Sequence, residues 1–195
     1  MLIKNDFEVA QPVEKVWSFF GDIPQVATCL PGAELTDDLG GEKYQGQVAV
    51  RMGPVRLQFA GTAEIAERDE AARRLVLNAA GAEAKGRGQA SMVVTATLVR
   101  SGRGTRVNVT QDLQLSGAAA QYGRGMISDV TSVLMRDFAA TMQDRIERVE
   151  RGESAEQIAA SGTSSASGLA LGLRAAVMAL SRVFRRFFVP YHAAT

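Results

Sequence analysis

Residues 104–150 read GTRVNVTQDLQLSGAAAQYGRGMISDVTSVLMRDFAATMQDRIERVE, and the period of their apolar positions changes once. Up to Leu115 the period is two: Val107, Val109, Leu113 and Leu115 alternate with Arg106, Asn108, Thr110, Asp112 and Gln114. That alternation predicts a half-buried strand. After Ser116-Gly117 the step becomes three or four. Tyr122, Met126, Val130, Val133, Leu134, Phe138, Met142, Ile146 and Val149 recur at that step. The spacing predicts one amphipathic helix of about 30 residues. Arg136, Asp137, Asp144, Arg145 and Arg148 fall on its outer side.

Upstream, the chain supplies a partner for that helix. Ile3, Phe7 and Val9 alternate with Lys4, Asp6 and Glu8 in a first strand. Gln11-Pro12 opens a helix with Val13, Val16, Trp17 and Phe20 on one stripe, ended by Gly21. Asp22 caps a second short helix, Pro24–Cys29, which Leu30-Pro31-Gly32 stops. From Ala33 the period is two through about six strands, punctuated by Gly53-Pro54 and by Ser101-Gly102-Arg103-Gly104. The order is strand, two short helices, antiparallel strands, long helix. This is an α+β architecture, a curved antiparallel sheet wrapped around the long C-terminal helix.

Composition narrows the chemistry. In 195 residues there is one cysteine, Cys29, and one histidine, His192. Neither an internal disulfide nor a Cys/His zinc site has a ligand set. Met1–Val9 is a charged strand and not a secretory leader, so a cytoplasmic protein is expected. A net charge of +1 gives no ground for nucleic acid as a partner. The distribution is uneven. All 21 acids and 18 of the 22 bases lie in residues 1–161, whereas residues 162–195 carry four arginines and no acid.

Many inward sheet positions are small: Gly46, Gly61, Ala63, Ala79, Gly88, Ala90 and Ala96. Small side chains under a helix leave room for an apolar molecule. The expected contacts are Phe59, Ala63, Ala90, Met92, Tyr122, Met126, Val130 and Leu134. The same glycines equally serve to bend a filled sheet, and methionines equally serve as core filler. Inward polar residues are few, namely Asn5, Gln111 and Tyr122, and none is a poised acid or base. Gly81–Gly88 resembles a phosphate loop only superficially, since it opens no helix. Cys29 has no histidine to activate it and reads as a buried inert thiol.

The C-terminal part reads differently. Residues 152–168 are rich in Ser, Ala, Gly and Thr and predict a linker. On a helix, Leu169, Leu173, Val177, Leu180, Val183, Phe184, Phe187 and Phe188 share one arc, opposed by Arg174, Arg182, Arg185 and Arg186. This is the pattern of a helix lying in a membrane interface. The longest uncharged run, Ala175–Ser181, is far below the ~20 residues needed to span. Docking of this arc on a partner protein, or on the acidic body, is the alternative. The division is therefore 1–151 for a ligand-binding domain, 152–168 for a linker and 169–195 for a membrane-associating tail.

Three stretches carry a family resemblance. They are VEKVWSFF (residues 13–20), CLPGAEL (29–35) and VRMGPVRLQFAG (50–61), followed by the long final helix. Together they resemble the carbon monoxide dehydrogenase G-subunit family, within the START-like, helix-grip superfamily, over about residues 1–150. The resemblance implies a helix-grip fold and an accessory protein with no catalytic residues and no metal. It implies association with a molybdenum-containing carbon monoxide dehydrogenase or related hydroxylase at the inner face of the cytoplasmic membrane. It also implies a bound quinone, menaquinone or ubiquinone, or another lipid, linking that enzyme to the respiratory chain. An assembly factor without ligand, or a START-like cyclase or hydrolase, are the alternatives.

Overall fold

The computed structural model describes residues 1–153. In chain order the elements are β1 (Leu2–Val9), α1 (Val13–Phe20), α2 (Ile23–Cys29), β2 (Ala33–Gly40), β3 (Lys43–Met52), β4 (Val55–Asp69), β5 (Arg74–Glu83), β6 (Gln89–Ser101), β7 (Gly104–Leu115) and α3 (Arg124–Glu150). The strands form one sheet in the order β1-β7-β6-β5-β4-β3-β2, antiparallel throughout. Hairpins therefore join β2 through β7 in sequence, and β1 closes the far edge against β7. Met1–Glu147 is one compact unit. Arg148 begins a second, whose described part ends α3 and continues to Glu153, the Arg148 Nε donating to Glu153 Oε2 at 2.7 Å. Apart from Gly152 and Glu153, the expected linker (152–168) and tail (169–195) lie outside the described residues.

Two apolar cores form on the inner face of the sheet. The larger gathers Val13, Val16, Phe19, Phe20, Ile23 and Cys29 from α1 and α2 with Phe138, Met142 and Ile146 from α3. Ile65, Leu75, Ala96, Leu98, Val107 and Val109 supply its sheet side. Phe138 anchors it, meeting Phe7 and Phe20 edge-on at 5.9 and 6.3 Å between ring centroids. Asp22 starts α2 by accepting the Gln25 backbone N–H at 3.1 Å, as a helix cap should. The smaller core, at the opposite end, consists of Ile3, Met52, Leu57, Ala119 and Ile127.

The long helix starts later than its apolar spacing predicts. A short 3₁₀ turn, Gly117–Gln121, and an extended Tyr122 precede it. The cause is a close crossing of two loops. Gly117 has φ +68° and lies so near the Arg87 carbonyl that a Cβ there would stand 2.1 Å from the oxygen. The Ala118 N–H donates to that same carbonyl at 2.6 Å. This hydrogen-bonded crossing holds Gly117 and Ala118 outside the helix, and Gly123 and Gly125 further weaken its first turn. The helix is also rotated from the expected phase. Ile127 is buried, whereas Met126 and Val133 are 44% and 50% exposed.

Candidate functional site

Between the two cores lies a strip of sheet that neither core covers. Two cross-strand rows make it. One runs Tyr44, Ala63, Ala79, Met92, Leu113, and the next runs Leu35, Gly46, Gly61, Gly81, Ala90, Leu115. The members between the row ends, together with Val48, belong to neither core and are half-buried. The glycines are small for a reason beyond room. A Cβ at Gly61 would stand 2.0 Å from the Ala80 carbonyl oxygen, and one at Gly46 would stand 2.7 Å from the Glu34 carbonyl oxygen. Neighbouring strands approach too closely there for a side chain, and the strip is consequently a shallow trough.

The position of α3 leaves the trough open. The Ser132 hydroxyl donates to Asn5 Oδ1 at 3.1 Å, and Gln143 Oε1 accepts the Ala10 N–H at 3.0 Å. Both bonds draw one flank of α3 toward β1 and the chain that follows it. At about 100° per residue, Val130 and Leu134 lie on the opposite flank, which faces away from β1, whereas Met126 and Val133 point away from the buried stripe of Ile127, Phe138, Met142 and Ile146. Val130 and Leu134, both half-buried, edge the trough on that side. The result is a groove floored by glycine, alanine and Met92, and edged by Val130 and Leu134.

Two buried polar side chains, Gln111 and Glu83, border it. Gln111 is 5% exposed and follows the groove row on β7, next to Val94. Glu83 points inward at the other end, its residue only 4% exposed, opposite Phe59. Its two oxygens accept the Arg87 guanidinium at 2.8 and 3.2 Å, the Lys85 N–H at 2.9 Å and the Arg87 N–H at 3.3 Å. The Arg87 guanidinium, joined by those backbone donors, outweighs burial and holds the Glu83 carboxyl down to about 2. The loop that resembles a phosphate cradle is thus filled by the chain's own carboxylate.

The expected contact residues divide as follows. Ala63, Ala90 and Met92 floor the groove, and Leu134 overhangs it. Phe59, Tyr122 and Val130 are half-buried against the smaller core at its end. Met126 is not an inward contact: it is exposed, because the inward position of that turn belongs to Ile127. Residue patterning passed over Glu83, although its parity with Leu77, Ala79 and Gly81 on β5 placed it inside. Cys29 is buried, and burial pushes its thiol up to about 11, the state of an unreactive cysteine.

Two depressions lie elsewhere. One of about 280 Å³ on the outer sheet face is bordered by Thr62, Glu64, Asn78, Ser91 and Asp112. The other, about 450 Å³ and shallow, lies beside the crossing of Gly88 and Gly117. No group of three potential metal ligands occurs among the described residues. Nor is any described helix long and apolar enough to cross a membrane.

Solved structures share this architecture. A conserved protein from Geobacillus kaustophilus superposes with a TM-score of 0.68 at 21% identity, covering 76% of this chain and 96% of its own. The ZhuI aromatase/cyclase from Streptomyces sp. R1128 gives 0.56 at 16% identity, covering 80% and 97%. Major latex-like protein 151 from Panax ginseng gives 0.50 at 13% identity, covering 72% and 95%. At such identities these likenesses show the fold alone, a helix-grip, START-like one. No curated protein matches the chain. The family model for the carbon monoxide dehydrogenase G-subunit (CoxG) matches residues 6–147, and the chain belongs to that family.

Proposed function

We propose that this protein is a non-catalytic accessory of a molybdenum-containing carbon monoxide dehydrogenase or related hydroxylase. It carries an isoprenoid quinone (menaquinone or ubiquinone), or another lipid, in the groove beneath α3. It holds that enzyme near the inner face of the cytoplasmic membrane, linking it to the respiratory chain. The observation that carries the reading is the uncovered apolar trough between two filled cores. A flexible isoprenoid chain suits a long, shallow, apolar floor, and Gln111 at the deep end offers an amide to a carbonyl. General acid–base chemistry finds no support in the groove. Its one inward carboxylate, Glu83, is engaged by an arginine and two backbone amides.

Extraction of the purified protein with organic solvent, followed by mass spectrometry, tests this. A stoichiometric isoprenoid quinone or lipid is expected. Ala79→Phe, which raises a ring from the trough floor, should leave the melting temperature near that of the parent and lower quinone uptake at least about tenfold. A protein that is empty and takes up no added menaquinone would leave an assembly factor that acts through its surface.

A further inference from the structure

Three segments far apart in sequence meet at the end of the groove closed by the smaller core. They are the β3–β4 hairpin, the β5–β6 loop and the chain from Leu115 into the first turn of α3. Met52, Leu57, Ala119 and Ile127 pack together there, and Gly88 lies against Ser116 and Gly117. Residues 50–59, 82–90 and 115–127 contain five bases, Arg51, Arg56, Lys85, Arg87 and Arg124, and one acid, Glu83. The rest of residues 1–147 contains eleven bases and seventeen acids. One end of the domain is therefore at +4 and the remainder at −6.

The five bases are exposed. Arg51 and Arg56 are direct cross-strand partners, a like-charge pair that opposes hairpin stability. Of the five, only Arg87 has a carboxylate partner among the described residues, and that is Glu83. Asp112 on β7 is paired with the N-terminal amine at 3.2 Å, and Asp129 follows Arg124 by five residues on α3. The same end exposes Met126 and the Gly53-Pro54 turn. Arginines without carboxylate partners around an apolar tip match an anionic bilayer, where the bases meet headgroups and the tip meets acyl chains.

We infer that this end of the domain is itself a membrane-docking surface for anionic phospholipid, independent of the C-terminal tail. It sets the groove end against the bilayer from which a lipid ligand is drawn. This rests on the groove being a ligand site, and the test separates the two. Sedimentation of the full chain with vesicles of phosphatidylcholine, with and without phosphatidylglycerol, is compared with Arg51→Glu/Arg56→Glu/Arg124→Glu. The triple variant should bind the phosphatidylglycerol vesicles at least about tenfold more weakly at low salt, with the difference shrinking at high salt. Arg103→Glu, at the opposite end of β6, should match the parent, and neutral vesicles should not distinguish any of the three.

Equal binding of the triple variant and the parent to phosphatidylglycerol vesicles would overturn the inference. So would a loss of equal size on neutral vesicles. Retained vesicle binding with lost binding to the dehydrogenase would overturn it in favour of an acidic protein partner. Should the hairpin substitutions prevent folding, Lys85→Glu/Arg124→Glu, both outside the sheet, carries the same test. Menaquinone loading from detergent solution is measured alongside and should be unchanged in the variants. Its failure in the parent bears on the groove alone.

Discussion

At the scale of single residues, Glu83 shows how a buried charge is kept. Its carboxyl titrates at about 2 in the folded protein, below the ~4.3 of an unfolded glutamate. The stabilisation it contributes is fully present above about pH 4.5 and is lost as pH falls toward 2. Glu83→Gln should therefore lower the melting temperature at pH 7, and the gap to the parent should close between pH 4.5 and pH 2. A gap that persists unchanged at pH 2 would mean that the ionised carboxylate is not what holds the loop. Met142 is 0% exposed in the larger core. Met142→Ala should cost about 2–5 kcal/mol in denaturant unfolding, because the surrounding helices relax only partly into the cavity.

At the scale of elements, α3 determines what the molecule can bind. Its buried positions, Ile127, Phe138, Met142 and Ile146, stitch it to both cores, while Val130 and Leu134 edge the open trough and Met126 and Val133 are exposed. Two substitutions of the same chemistry should therefore behave differently. Ile127→Asp buries an unpaired carboxylate and should unfold or severely destabilise the protein. Val133→Asp should change stability by less than about 0.5 kcal/mol, as exposed positions do, and leave quinone uptake unchanged, because Val133 faces away from the groove. Calorimetry and a fluorescence titration on the two variants separate these roles. Ligand uptake lost in Val133→Asp would place the ligand on the exposed face of α3 instead.

At the scale of the whole molecule, the proposed membrane attachment draws on two separate features. The stretch from Leu169 to Phe188 carries four arginines, no acid and a run of Leu, Val and Phe that would share one arc if helical. Removing residues 168–195 should shift the protein from the membrane to the soluble fraction of fractionated cells at physiological salt. If the charged end of the domain contributes as inferred, the truncated protein should still bind phosphatidylglycerol vesicles at low salt. Full membrane retention of the truncated protein at high salt would remove the tail from the account.

Much of this was legible in the residues themselves, because strands and amphipathic helices announce their period within ten or twenty positions. Val107 to Leu115 and Phe138 to Ile146 are local patterns, and so are the Gly53-Pro54 turn and the Asp22 cap. The small residues of β3, β4, β5 and β6 were visible as inward positions. Their alignment into two adjacent rows was not, because strand register arises between chains of backbone that meet only on folding. The phase and lean of α3 were likewise decided by tertiary contacts. Asn5 reaches Ser132 and Ala10 reaches Gln143 across more than 120 positions, and these bonds turn Met126 outward where periodicity alone would put it inside. The concentration of Arg51, Arg56, Lys85, Arg87 and Arg124 at one end has the same origin. Charge is summed over space, and three loops separated in sequence share that space only once the sheet has formed.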